Sequence, residues 1–289
     1  MPDSMTRPVH LLRRWVQRQV LPETWTWLEG RLQSVASGAT RDLFLGFGLV
    51  SRKVGKADLA LTSADLDDAE EARPGWNPDK WTLDQAARTL LVLSLPAPEQ
   101  TEYVATLDTL FAAAEMGEAV ALYQALPLLP FPAAHRFRCT EGIRTNIASI
   151  FTAIAHRNPY PAEQLDESAW NQLVLKCFFM GVALDPIVGL DRRANSALRQ
   201  MLVDLAHERR AAKRPVPLEL WRCVGPCADE AAVRDLAQVL VEGTPVEQSA
   251  AALALSQSSL PSAFAALSQR PDLQQEIEAG AIRWNTIGQ

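Results

Sequence analysis

An all-α fold is what this sequence predicts, and three observations carry the prediction. Ala, Leu, Gln, Arg and Glu recur in segments of helical period, runs of alternating β-branched and polar residues are missing, and Pro, Gly or Asn separate the segments. With 289 residues, 48% of them hydrophobic, the chain can bury a substantial core as one large helical domain or two small ones.

The first helix is read over residues 9–20, where Leu11, Leu12, Trp15, Val16 and Val20 are interleaved with Arg13, Arg14 and Arg18. That is an amphipathic basic helix, not the continuous apolar core of a signal peptide. Basic residues on the wet face of a core-packed helix look the same as those of a membrane-surface helix. Helices follow over 23–36 and 40–49. Residues 46–81, which include the acidic run 65–71, are the least regular stretch and are expected to form a long connection with one short helix. Gly46, Gly48 and Gly55 lie near Lys53 and Lys56, but their spacing matches no phosphate loop or dinucleotide fingerprint.

Periodicity then predicts helices over 83–95, 99–114, 118–125, 141–156, 162–180, 195–212, 218–223, 230–241, 245–257, 261–269 and 273–279. Similar lengths and short links suit antiparallel helix pairs stacked as an α-solenoid of the HEAT or armadillo type, or a compact helical bundle. No sequence repeat at a fixed period chooses between them. The expected organisation is an N-terminal part, 1–82, and one continuous helical body, 83–289, with the Ala-rich helices from Ala231 onward as a terminal capping layer.

Charge and cysteine content exclude several classes. Lys and Arg number 28 against 34 Asp and Glu, a net charge of −6, so the overall field disfavours nucleic acid and anionic lipid. The richest apolar run, 173–184, is short of the ~20 residues that cross a bilayer and contains Lys176. Cys139, Cys177, Cys223 and Cys227 are too scattered for a secreted disulfide scaffold and fit a reducing cytoplasm. Cys223 and Cys227 flank Val-Gly-Pro without a second Cys or His pair, so no zinc site is expected.

Three helices carry the most informative polar residues. On 141–156, Ile143, Ile147, Ile150, Phe151 and Ile154 share a stripe at about 100° per residue, with Arg144 and Asn146 on its flanks. Glu141 can pair with Arg144 on the surface. On 162–180, Trp170, Leu173, Val174, Leu175, Cys177, Phe178, Phe179 and Met180 make a helix suited to complete burial, crossed by a polar strip of Gln172 and Lys176, with Asn171 on another side. A buried ammonium needs an acceptor, so Lys176 is read as a salt-bridge partner, a ligand-facing lysine or an exposed side chain. On 195–212, the stripe Leu198, Met201, Leu202, Leu205 continues to Arg209, which is expected to point inward. Asp204 and His207 have the spacing of a metal-binding helix, but one copy is insufficient, and no metal or cofactor is assigned. If these groups converge, Arg144, Lys176 and Arg209 bind an anion, Asn146 and Asn171 orient a substrate, and His207 transfers a proton.

An ordered series of short words runs through the chain. Val-Gly-Lys-Ala-Asp-Leu-Ala-Leu stands at 54–61, Pro-Gly-Trp-Asn-Pro at 74–78, Thr-Leu-Asp-Gln-Ala-Ala-Arg at 82–88, Glu-Gly-Ile-Arg-Thr-Asn at 141–146 and Asn-Pro-Tyr-Pro at 158–161. Ala-Trp-Asn-Gln with Lys176 follows at 169–172, then Gly-Leu-Asp-Arg-Arg-Ala-Asn at 189–195, Ala-His-Glu-Arg at 206–209 and Leu-Trp-Arg-Cys-Val-Gly-Pro at 220–226. In this order they resemble the EboA family over residues 40–226. Arg210 stands where the family leads one to expect an aromatic residue.

The resemblance implies a pathway and not a reaction. Members are encoded beside proteins similar to a prenyltransferase-like membrane protein, a metal-dependent hydrolase, a dehydroquinate-synthase-like enzyme, a sugar isomerase and a phosphodiesterase, in clusters linked to making or exporting a secondary metabolite. An accessory protein that holds such enzymes or binds an intermediate is the expectation, located in the cytoplasm or peripheral to the inner membrane. A small-molecule enzyme acting on an anionic, prenyl- or sugar-derived intermediate is the alternative, although the sequence contains no nucleophile motif.

Overall fold

A computed structural model describes residues 3–287. Among the described residues there are α-helices and 3-10 turns and no β-strand, so the fold is all-α. The chain separates into two compact units, Met1–Asp166 and Glu167–Gln289. Residue 82, the boundary expected from sequence, lies inside the first unit, where Leu59 N donates to Trp81 O and Leu83 N to Ala57 O, each at 2.8 Å.

The first unit contains α1 Asp3–Gln17, α2 Pro22–Ala36, α3 Thr40–Val54, α4 Ser63–Ala72, α5 Leu83–Leu93, α6 Gln100–Ala113, α7 Met116–Ala125, α8 Arg136–Arg144, α9 Ala148–Ala155 and α10 Tyr160–Gln164. Its centre is α5, whose Ala86, Ala87, Leu90, Leu91 and Val92 are fully buried and which packs against α1, α3 and α7. Two charges sit in this core. Arg88 pairs with Asp84 one turn back and also donates to Phe47 O and Ser51 Oγ, at 3.1 and 2.8 Å. Full pairing and hydrogen bonding are what make a buried guanidinium tolerable.

The arginines of α1, and Arg18 in the turn that follows it, are neutralised within the unit: Arg7 by Glu71, Arg13 by Glu29, Arg14 by Asp68 and Arg18 by Asp65. Asp65 is only 4% exposed. It also accepts from Trp15 Nε1 at 2.8 Å and closes the capping box of α4 with Thr62. The cations that suggested a surface helix therefore hold α1 to its neighbours.

Several expectations need correction. The stretch 46–81 has the one short helix expected, α4, but α3 runs through Gly46 and Gly48 to Val54, and Leu59, Trp76 and Trp81 pack the rest as buried core. The expected helix 141–156 breaks into α8 and α9. Thr145 is extended and its hydroxyl accepts from Ile147 N at 3.1 Å, a side-chain bond that competes with the helix. Ile147 leaves the apolar stripe and is 44% exposed. Gly142 stays helical beneath a tight contact, since a Cβ there would fall 2.4 Å from Ile154 and 2.6 Å from Tyr123.

The second unit holds α11 Glu167–Met180, α12 Ser196–Ala211, α13 Glu230–Glu242, α14 Pro245–Ser256, α15 Pro261–Leu267 and α16 Pro271–Glu278. The helix expected over 162–180 breaks at Leu165, which is extended. Its C-terminal end is not central, because Phe179 is 67% exposed. Residues 218–223 form a 3-10 turn. The Ala-rich α14, expected in an outer cap, buries Ala250 through Leu255 and packs against α13, α15, α16 and that turn. Small side chains let backbones close in on every side of it.

Candidate functional site: a basic groove along α9

The residues singled out from sequence do not form one cluster within either unit. In the first, Arg144 is exposed and bonded to Glu141 Oε1 at 2.5 Å, and Asn146 is exposed in the α8–α9 break. In the second, Asn171 is buried and exchanges amide hydrogen bonds with Asn195, at 2.8 and 3.1 Å, while Asn195 caps α12. Lys176 is half-buried, and desolvation lowers its pKa. Exposed His207 meets Asp235 Oδ2 at 2.9 Å. Arg209 does not point into the core: it is half-buried and donates to Pro215 O at 2.6 Å, holding the turn that ends α12. Asn195 and Arg209 mark opposite ends of α12, about 20 Å apart at 1.5 Å per residue, so Asn171 and Arg209 cannot share a small ligand.

The four cysteines are free; Cys139, Cys177 and Cys223 are buried, and burial pushes each thiol up to about 12, away from the reactive thiolate. No group of three or more His, Cys, Asp or Glu among the described residues is placed to hold a metal.

A different set of residues forms a groove of about 350 Å³ along α9 in the first unit. Asn77, Lys80, Trp81 and Gln85 make one wall, Val120 and Gln124 of α7 the floor, and Ala148, Ser149, Thr152, Ala153, His156, Arg157 and Asn158 the other wall. Two of the short sequence words build it. In Pro-Gly-Trp-Asn-Pro, Gly75 at φ +79° turns the chain so that Trp76 is buried between Trp15 and Trp81, with ring centroids 5.8 and 5.9 Å away. Asn77 then takes both a turn and a tether. Its Oδ1 accepts from Asp79 N at 2.9 Å, and its N donates to Arg157 O at 3.2 Å.

In Asn-Pro-Tyr-Pro, Asn158 is 4% exposed and fully committed. Its Nδ2 donates to Tyr123 O and Ala153 O at 3.2 and 3.1 Å, and its Oδ1 accepts from Tyr160 N at 3.0 Å. This amide ties α7, α9 and α10 together and sets the preceding residue, Arg157, at φ +53°. A left-handed conformation costs a residue with a Cβ about 1–2 kcal/mol, and the Asn158 and Asn77 bonds on either side of Arg157 maintain it.

The electrostatics of the groove are one-sided. No carboxylate is among the lining residues, whereas Lys80 and Arg157 are both present. Lys80 makes a mostly exposed pair with Asp79 at 3.0 Å. Arg157 has no carboxylate partner among the described residues. On the floor, Gln124 Oε1 is buried without a hydrogen-bond partner in the structure, a group that a ligand or an ordered water would satisfy. The N-terminus of α9 opens at Ala148 and Ser149 with no side-chain cap, which adds positive potential on the same wall.

Lys80, Gln124 and Arg157 were not predicted as site residues. No periodicity marks them, and the usable signal was the pair of Pro- and Asn-containing words beside them.

Fold and groove together define an all-α protein with a small-molecule-sized groove lined by basic and no acidic residues. The chain belongs to the EboA family: the family model described as metabolite traffic protein EboA matches residues 9–225. The match begins within α1, takes in every residue lining the groove and stops before α13. No curated protein and no solved structure matches the chain.

Proposed function

We propose that this protein is an accessory binding protein of an ebo-type secondary-metabolite pathway. It holds an anionic intermediate in the groove along α9 and passes it between pathway proteins. The reading is supported above all by a carboxylate-free wall bearing Lys80 and Arg157, in a chain whose net charge is −6. The family description, metabolite traffic, agrees with carriage in place of conversion.

Carboxylate, sulfate and phosphate groups suit Arg157, whose fork can bind two oxygens at once, while Lys80 supplies a mobile charge at the rim. Trp81 and Val120 offer apolar contact for the body of such a molecule. The recipients are the other proteins of the cluster, with the prenyltransferase-like membrane protein as the proposed point of delivery. Among the described residues no helix is long and apolar enough to cross a membrane, and the arginines of α1 are paired internally. Approach to the inner membrane is therefore proposed to occur through that partner.

The test is to purify the protein from producing cells, extract it with organic solvent and identify co-purifying compounds by mass spectrometry. An acidic compound retained by the native protein and absent from a Lys80→Ala/Arg157→Ala double variant is the expected result. Equal retention by both, with the variant folded, would remove the groove from the function.

A further inference from the structure

We propose that a second cavity of the first unit, about 400 Å³ beneath the segment 126–135, binds an uncharged, predominantly apolar small molecule such as a hydrocarbon or an unsubstituted ring system. The inference does not depend on the groove along α9.

The segment reads Leu-Pro-Leu-Leu-Pro-Phe-Pro-Ala-Ala-His, and side chains hold much of its backbone. Arg73 Nε donates to Pro127 O at 3.0 Å, His135 Nε2 lies 2.9 Å from Pro130 O, and the Tyr160 hydroxyl donates to Pro132 O at 2.5 Å. The charged groups of the wall are committed as well. The two terminal nitrogens of Arg73 grip Glu163 at 2.8 and 2.5 Å in a bidentate pair. Among the described residues, no buried side-chain atom without a partner belongs to this wall.

What remains for an occupant is apolar surface, from Leu128, Leu129, Phe131, Pro132 and Tyr160. A charged molecule would surrender its water there with only the Gln164 amide, which accepts from Arg136 at 3.5 Å, to replace it, whereas a hydrocarbon loses nothing on entry. A peptide is disfavoured for the same reason, since each of its residues would bring a backbone N–H and C=O to satisfy. The wall is also set before binding. Prolines fix φ at Pro127, Pro130 and Pro132, and Phe131 is held at φ +56° with its ring edge-on to Tyr103 at a centroid distance of 6.0 Å.

The test uses the full chain and N-phenyl-1-naphthylamine, a neutral fluorophore, against its sulfonate analogue 1-anilinonaphthalene-8-sulfonate. Saturable binding of the neutral dye is expected, with displacement by the sulfonate at least tenfold less effective. Gln164→Trp, which fills the wall from α10, should weaken the neutral dye at least tenfold while the melting temperature holds. Absence of saturable binding, equal displacement by the sulfonate, or unchanged affinity in a folded Gln164→Trp variant overturns the proposal. Should that variant fail to fold, photolabelling of the unaltered protein with a neutral aryl diazirine decides. Labels within 127–132 and 160–164 support the site, and labels confined to the exposed Phe179, Val241 and Phe264 overturn it.

Discussion

The groove along α9 and the cavity beneath 126–135 are built partly from the same two chain segments, 73–81 and 156–164, yet they offer opposite surfaces. Each has an arginine on its wall. Arg73 is spent on Glu163 and Pro127 O, and its cavity is apolar in effect. Arg157 has no carboxylate beside it among the described residues, and its groove favours anions. The chemistry of a site is decided less by which polar residues line it than by which of them are left over after the fold has satisfied itself.

The largest effect is expected where the substitution touches neither region directly. Arg88→Met leaves Asp84 buried in α5 without its counter-charge, held only by the Ser51 and Thr82 hydroxyls, beside Gln85 of the groove, and should cost about 3–5 kcal/mol in a urea titration. Both regions should then be lost in one transition. A second transition would show that the cavity survives without α5.

Asn158→Ala comes next, because Asn158 lies on the groove wall and Tyr160, which it holds, lies on the cavity wall. Stranding the Ala153 carbonyl and the Tyr160 amide, and leaving the Tyr123 carbonyl with Leu126 N alone, should cost about 2 kcal/mol and weaken ligand binding in both places. Loss confined to one place would mean that the two are mechanically separate.

Acid should separate them. Arg18 chiefly, then Thr62, hold the Asp65 carboxyl far below the usual carboxylate range, against the opposing effect of burial. A carboxylate depressed in the folded state contributes stability above its unfolded pKa of about 4, and that contribution fades as pH falls toward the folded value. Lowering the pH from 4 should therefore loosen α1 and with it Pro8 on the cavity wall. Neutral-dye binding should fall over that range, and Asp65→Asn should weaken it at neutral pH and flatten its acid dependence. An acid profile identical in the variant would assign the loss to other groups.

The smallest change sharpens the comparison most. Arg157→Gly relieves a left-handed residue and should raise stability by about 1 kcal/mol in thermal melts. Anion retention should fall, with neutral-dye binding unaffected. A variant that is both more stable and fully able to retain its ligand would show that the strain at Arg157 serves no binding purpose.

Much of the fold was legible because helical period and apolar content are local properties. The helices over 23–36, 230–241 and 245–257 lie close to where periodicity put them. The site was less legible. Arg144, Asn146, Asn171, Lys176, His207 and Arg209 were picked out by their places on helical wheels, of which the one over 141–156 failed at a break, while α12 is unbroken and Arg209 at its end was still misplaced. The break at Thr145 to Ile147 put Asn146 in a link, and the turn after Ala211 gave Arg209 a carbonyl partner. A helical wheel assumes an unbroken helix, and a single hydroxyl competing for one backbone amide is enough to end one.

By itself the sequence determined that this chain is all-α, that it has the ordered words of the EboA family, and that it has a net charge of −6. These follow from composition and from residues close together in the chain. Tertiary structure alone decided that Pro-Gly-Trp-Asn-Pro and Asn-Pro-Tyr-Pro meet, that Arg73 finds Glu163 across 90 residues, and that Arg157 finds no such partner among the described residues. Whether a charge is spent or available depends on the distance to its counter-charge in space, and spacing along the chain does not contain that distance.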